Sequence, residues 1–124
     1  SAIDIATTIY GVCRIEPPAE LPGINLLNKA ALAHRQTIFS ETYAHDFTSI
    51  DSSLYYRMAI ELPYKLIWPD ANNQPEKRLE LFDVVSDPFE EKNIADSNPA
   101  VVEELKKKIQ GRFSSRCPME VPGN

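Results

Sequence analysis

The chain has 124 residues, 13 Lys and Arg against 18 Asp and Glu, and a formal net charge of −5. That length fits one small domain with a modest core and leaves no room for a catalytic α/β domain beside it. The acidic balance, a pI near 5.0 and the lack of any apolar run near the roughly 18 residues of a membrane span argue against nucleic-acid and membrane partners.

Ten prolines against four glycines punctuate the chain, and ordered elements are expected between these breaks. Ser1-Ala2-Ile3-Asp4 matches a capping box, which predicts a helix from the first residue. Ile5, Ile9, Val12 and Cys13 fall on one stripe of that helix, and Pro17-Pro18 is expected to end it. No basic, apolar and small-residue order marks a leader before it. A chain opening on a helix cap is therefore expected to be cut from a longer one. Its apolar stripe should lie exposed and recruit a second copy, giving a homodimer through the N-terminal helix. Residues 14–36 read as a connector with one short helical turn. Cys13 and Cys117 are too few and too far apart for a disulfide framework or a zinc site. Buried thiols are expected, with one long-range disulfide as the alternative.

Residues 37–43 are β-rich and predict the first strand, followed by a polar loop over 45–53. Residues 54–60 and 64–68 predict a hairpin closed by Glu61-Leu62-Pro63. A loop over 69–78 leads to a strand at 79–83, with Leu79, Leu81 and Asp83 on one face and Glu80 and Phe82 on the other. Asp87-Pro88 ends the extended run, with Asp87 expected to accept a bond from a backbone N–H two residues on. Asn98 as N-cap and Pro99 at the first helical position open a C-terminal helix. Its stripe is Val101 or Val102, Leu105, Ile109 and Phe113, Gly111 is a candidate early stop, and Lys106 to Lys108 read as a solvated face. The tail of residues 114–124 is expected to be loose or to lie back over the domain.

These elements give an α+β fold: a small antiparallel sheet of about four strands with a packed C-terminal helix, preceded by an N-terminal helix. Catalytic groups are not expected. The sequence has no G-x-S-x-G elbow and no phosphate loop, and His34 and His45 have no carboxylate at motif spacing. Asp83, Asp87, Glu90 and Glu91 lack the order of a calcium loop. They read, with Pro88 and Asn93, as a structural turn, and no metal ligand set is expected.

The pattern Leu81-Phe82-Asp83, Asp87-Pro88, Glu90, Asn93 resembles a signature near the C-terminus of sulfatases. Four further pieces follow in the same order. Residues 1–9 are similar to the family's S-x-x-D-[IL]-x-P-T, with Asp4 and Thr8 matching and Thr7 in place of the proline. Leu21-Pro22-Gly23-Ile24-Asn25-Leu26 is similar to its G-x-[SN]-L turn, and residues 38–41 and Arg57 with residues 64–67 fall where its last strands do. Together they cover about residues 1–110. The resemblance implies the last helix and connector of a catalytic domain at 1–36, the C-terminal subdomain at 37–113 and a tail at 114–124.

It also implies a parent that hydrolyses sulfate esters with calcium and a formylglycine made within [CS]-x-P-x-R. Neither Cys13, followed by Arg14-Ile15-Glu16-Pro17, nor Cys117, followed by Pro118-Met119-Glu120, fits that motif. The expected role is therefore the C-terminal portion of a sulfatase, inactive alone, with the upstream catalytic domain as partner and no cofactor of its own. His45 and Arg57 are its candidate substrate contacts, in a subdomain that lines the cleft in this family. His45, in the loop over 42–51, can donate a hydrogen bond and change charge near neutral pH. Arg57 could instead be held in an ion pair with Glu41 or Glu61. A fragment of a related phosphodiesterase or phosphonate hydrolase and a stand-alone interaction module are the alternatives. The parent's compartment stays open among periplasmic, secreted and lysosomal.

Overall fold

A computed structural model of the protein describes residues 1–45 and 49–113, in two compact units, Ser1–Ile38 and a second from Phe39 onward. The expected tail, Cys117 and residues 46–48 of the loop lie outside the described residues.

In the first unit, α1 (Asp4–Cys13) and α2 (Lys29–His34) are joined by a turn-rich connector. Only half of the capping box forms: Asp4 reaches back to the Ser1 nitrogen at 3.0 Å, but Ser1 is not the cap. Asp4 is the first helical residue and Ile3, the cap, makes no side-chain bond. Asp4 is fully buried and, beyond Ser1, is held by the distant partners Ile24 and Arg35. Nor does Pro17 end the helix: Arg14 enters the left-handed region at φ 57° and closes it three residues earlier, its N–H donating to the Gly11 and Tyr10 carbonyls. Cys13, expected to be buried, is free and exposed. Ile5, Ile9 and Val12 are 58, 57 and 63% exposed, so the predicted stripe is solvent-facing in this unit. The helix α2 is capped by Asn28, whose side chain accepts from Ala31 N–H at 3.1 Å.

In the second unit, β1 (Ile38–Tyr43), β2 (Leu54–Glu61), β3 (Tyr64–Pro69) and β4 (Glu80–Asp83) form one sheet in the order β1-β2-β3-β4. Ala59 opposes Leu66 and Leu66 opposes Leu81, while the next row is Met58, Ile67 and Glu80. Because successive side chains alternate faces, these rows point to opposite sides of the sheet. The first row meets α4 (Pro99–Phe113): Ala59, Leu66 and Leu81 form the core with Val102, Leu105 and Ile109.

The polar stretch expected as loop contains a turn of helix, α3 (Ile50–Ser53), capped by Ser49, whose hydroxyl accepts from Ser52 N–H at 3.1 Å. The hairpin is tighter than predicted. Glu61 pairs with Tyr64, which leaves two connecting residues in place of three. On β4 both Leu81 and Phe82 are buried, so both faces of the strand are covered at its middle. Gly111 does not stop α4, which runs on to Phe113. Asn98 turns its amide back to the Ile94 carbonyl at 3.0 Å, and Pro99 is the first helical residue. The lysine run is only partly solvated: Lys106 lies 5.0 Å over the Trp68 ring and Lys108 bridges Glu61 and Glu104 at 2.7 and 2.8 Å. Glu104 and then Glu61 hold the Lys108 ammonium above its ordinary range.

Candidate functional site

In the first unit the polar chemistry converges on Asp4. Both terminal nitrogens of Arg35 donate to its carboxylate, Nη2 to Oδ1 at 2.8 Å and Nη1 to Oδ2. Ile24 N–H reaches Oδ1 at 2.9 Å and the Ser1 ammonium reaches Oδ2 at 3.0 Å. The Arg35 guanidinium outweighs burial and holds the Asp4 carboxyl far below the usual carboxylate range, while Asp4 pushes Arg35 up. Thr8 adds a second link, donating to the Asp4 carbonyl at 2.7 Å and accepting from Leu26 N–H at 3.0 Å. Gly23 between them has φ 103°, and a Cβ there would lie 2.3 Å from the Ile3 carbonyl oxygen; only glycine fits. Two sequence stretches that resembled sulfatase motifs are thus one hydrogen-bonded structure.

The turn after β4 is similarly built from side chains. Asp83 Oδ1 accepts from Val85 and Ser86 N–H at 3.1 and 3.0 Å. Those bonds, that of Ser86 first, hold its carboxyl below the ordinary value. Asp87 does not bond two residues on. Its two oxygens accept from Glu91 and Lys92 N–H at 3.1 and 2.9 Å, because Glu90 in the left-handed region, φ 56°, folds the next amides back. Glu90 then meets Lys65 of β3 at 2.7 Å. Asn93 accepts from Leu81 and Ala95 N–H at 3.1 and 3.0 Å and donates to the Leu79 carbonyl at 3.1 Å. Pro88 lies between Asp87 and Glu90 in this turn. These carboxylates are engaged with backbone amides and a lysine.

The two candidate contacts are not brought together. His45 is exposed at a bend after β1. Arg57 sits on the helix-facing side of β2, its Nε donating to Glu41 at 3.1 Å and its guanidinium 5.8 Å from the Phe113 ring. Arg57 and Trp68 line two neighbouring open pockets, one of about 210 Å³ bordered by Ile109, Gln110 and Phe113, the other of about 200 Å³ bordered by Asp70 and Asn72. Among the described residues no three His, Cys, Asp or Glu side chains gather as a metal site.

No protein-family model matches the chain, and no curated protein sequence matches it. Solved structures do. A Bacteroides thetaiotaomicron glycosaminoglycan-metabolism structure, labelled BT33494S-sulf, superimposes with a TM-score of 0.70 and 25% identity over 90% of this chain. The chain has the fold of a sulfatase segment. A second structure from the same organism and locus, BT33336S-sulf, gives 0.60 and 19% over 88%, and BT4656, in complex with its substrate D-glucosamine-2-N,6-O-disulfate, gives 0.63 and 19% over 95%. The chain spans about a quarter of the length of these sulfatase structures, 24, 26 and 25% in turn.

The described residues do not fit the calcium and formylglycine that the resemblance implies for a parent. Asp83 and Asp87 hold amides, Glu90 holds Lys65, and Asp4 is consumed by Arg35. Neither Cys13 nor Cys117 stands in [CS]-x-P-x-R.

Proposed function

We propose that this chain is the C-terminal portion of a sulfatase, supplying stability and substrate contacts to a catalytic domain encoded upstream and releasing no sulfate by itself. The observation that carries the reading is the 0.70 superposition at 25% identity over 90% of the chain. The sheet with its packed helix and the built turn after β4 support a scaffold role, since Asp83, Asp87, Glu90 and Asn93 are all spent on holding that turn and strand. The neighbours are sulfatases, which favours a sulfuric ester over a phosphate diester or phosphonate as the parent's substrate. Calcium and formylglycine belong, on this reading, to the parent's upstream part. His45 is exposed and so remains the candidate cleft contact, and Arg57, held by Glu41, is the second.

The test joins sequence and chemistry. The gene upstream of Ser1 should encode [CS]-x-P-x-R, and the whole protein should release sulfate from sulfated sugars while the 124-residue chain does not. A parent lacking that motif, or one that prefers phosphate diesters, overturns the proposal. His45→Ala in the whole protein should lower kcat/KM for the sulfated sugar about tenfold and leave a small aryl sulfate unchanged. Equal loss on both marks a folding defect and removes His45 from the cleft.

A further inference from the structure

The face of the sheet turned away from α4 carries a groove that the fold does not use. Its floor is the row Met58, Ile67 and Glu80, one residue on each of three neighbouring strands, with Tyr56 two residues before Met58 on β2 and therefore on the same side. Thr42 of β1 borders it, as do Lys77 and Arg78 from the loop that enters β4, around a volume of about 300 Å³. That is the lower end of the range for small-molecule sites. Tyr56 is steadied from outside, its hydroxyl donating to Gln74 Oε1 at 3.3 Å. The residues around the groove keep their charges to spare. Among the described residues no ion pair engages Lys77, Arg78 or Glu80, although Lys65, Lys106 and Lys108 all have partners.

We propose that this groove binds a sulfated monosaccharide unit, with Lys77 and Arg78 taking the sulfate, Glu80 and Thr42 the sugar hydroxyls, and Tyr56, Met58 and Ile67 the apolar face of the ring. The mixed charge selects this occupant. A purely anionic ligand such as nucleic acid or an acidic peptide would gain from the two cations but meet repulsion at Glu80. A sulfated sugar has a group for each: an anion for the guanidinium and ammonium, and hydroxyl donors for the carboxylate. The aromatic and aliphatic floor gives the ring a dry surface of the kind that dominates ligand pockets. In a chain of net charge −5, two unengaged cations against the single carboxylate of Glu80 in the groove's lining are a local reversal of sign. The substrate class rests on the sulfatase reading; the groove's geometry does not.

The 124-residue chain should be titrated with glucosamine-2-N,6-O-disulfate while the methyl resonances of Met58, Ile67 and Thr42 are followed. Saturable shifts are expected at these three, with glucosamine and inorganic sulfate each binding about tenfold more weakly or worse. Lys77→Ala with Arg78→Ala, both exposed loop positions whose loss leaves the core intact, should weaken the disulfated sugar by about tenfold or more. The proposal is overturned by absent shifts at millimolar sugar, by an equal response to inorganic sulfate or to a single-stranded oligonucleotide, or by undiminished binding in the double variant. Sulfate release by the whole protein is a separate readout. If release is intact and the groove is silent, the groove alone fails; if the groove binds and the parent releases no sulfate, the sulfatase reading alone fails.

Discussion

The two units of this chain are held by different physics. From Phe39 onward, the sheet and α4 close over six buried apolar side chains, and the polar bonds there mostly shape turns. In Ser1–Ile38 the one buried residue is a carboxylate, and the isoleucines and the valine of α1 face solvent. An apolar core loses little when any one polar bond goes, whereas a charge withdrawn from water depends on each of its partners.

Arg35→Ala should therefore produce the largest effect, about 3–5 kcal/mol, because it strands the Asp4 carboxylate without its counter-charge. Amide exchange across α1 and the residue 21–26 turn would show it as lost protection. Unchanged protection would mean that the first unit does not depend on its ion pair. The same group sets a pH response. Asp4 is held below its unfolded value of about 3.9, so its contribution is complete above that pH and fades as pH falls toward the lower folded value. Exchange in α1 should stay flat from pH 7 to about 4 and rise only below it; a rise beginning near pH 6 would implicate a histidine instead.

Ile109→Ala tests the other side of the comparison. The site is fully buried between α4 and the sheet, and truncation should cost about 2–4 kcal/mol in denaturant unfolding followed by Trp68 fluorescence. A loss under about 0.5 kcal/mol would mean that the second unit does not rest on this core. Asn93→Ala should cost less, about 1–2 kcal/mol, by leaving the Leu81 N–H without its acceptor, and its mark would be faster exchange of that amide. If the Leu81 amide stays protected, water or a neighbour replaces the side chain and Asn93 is dispensable.

The same contrast explains what could be read in the sequence. Strand alternation at 54–68 and the stripe of Val102, Leu105 and Ile109 are local periodicities produced by burial on one side, so the second unit is legible before folding. Asp4 is only half legible: its reach back to Ser1 follows a local capping pattern, while its main partner, Arg35, is 31 residues away. Nothing periodic announces such a pair. A weaker signal existed in Gly23, a glycine beside proline at a turn that the resemblance had also marked. Asp87 reaches past the two-residue pattern, because Glu90 adopts φ 56° and folds the amides of Glu91 and Lys92 back to it. The open groove was missed because Lys77 and Arg78 lie in a proline-broken loop, and only strand register reveals which face they overlook.

The amide of Asn93 and the N–H of Ile94 together occupy the outer side of β4. The first accepts from Leu81 N–H and donates to the Leu79 carbonyl, and the second donates to the Leu81 carbonyl at 2.8 Å. A row of groups that would otherwise offer a template to another chain is filled from within. One short side chain acts as a counterfeit fifth strand, and sheet growth stops at β4 without a proline or a charge being spent to block it.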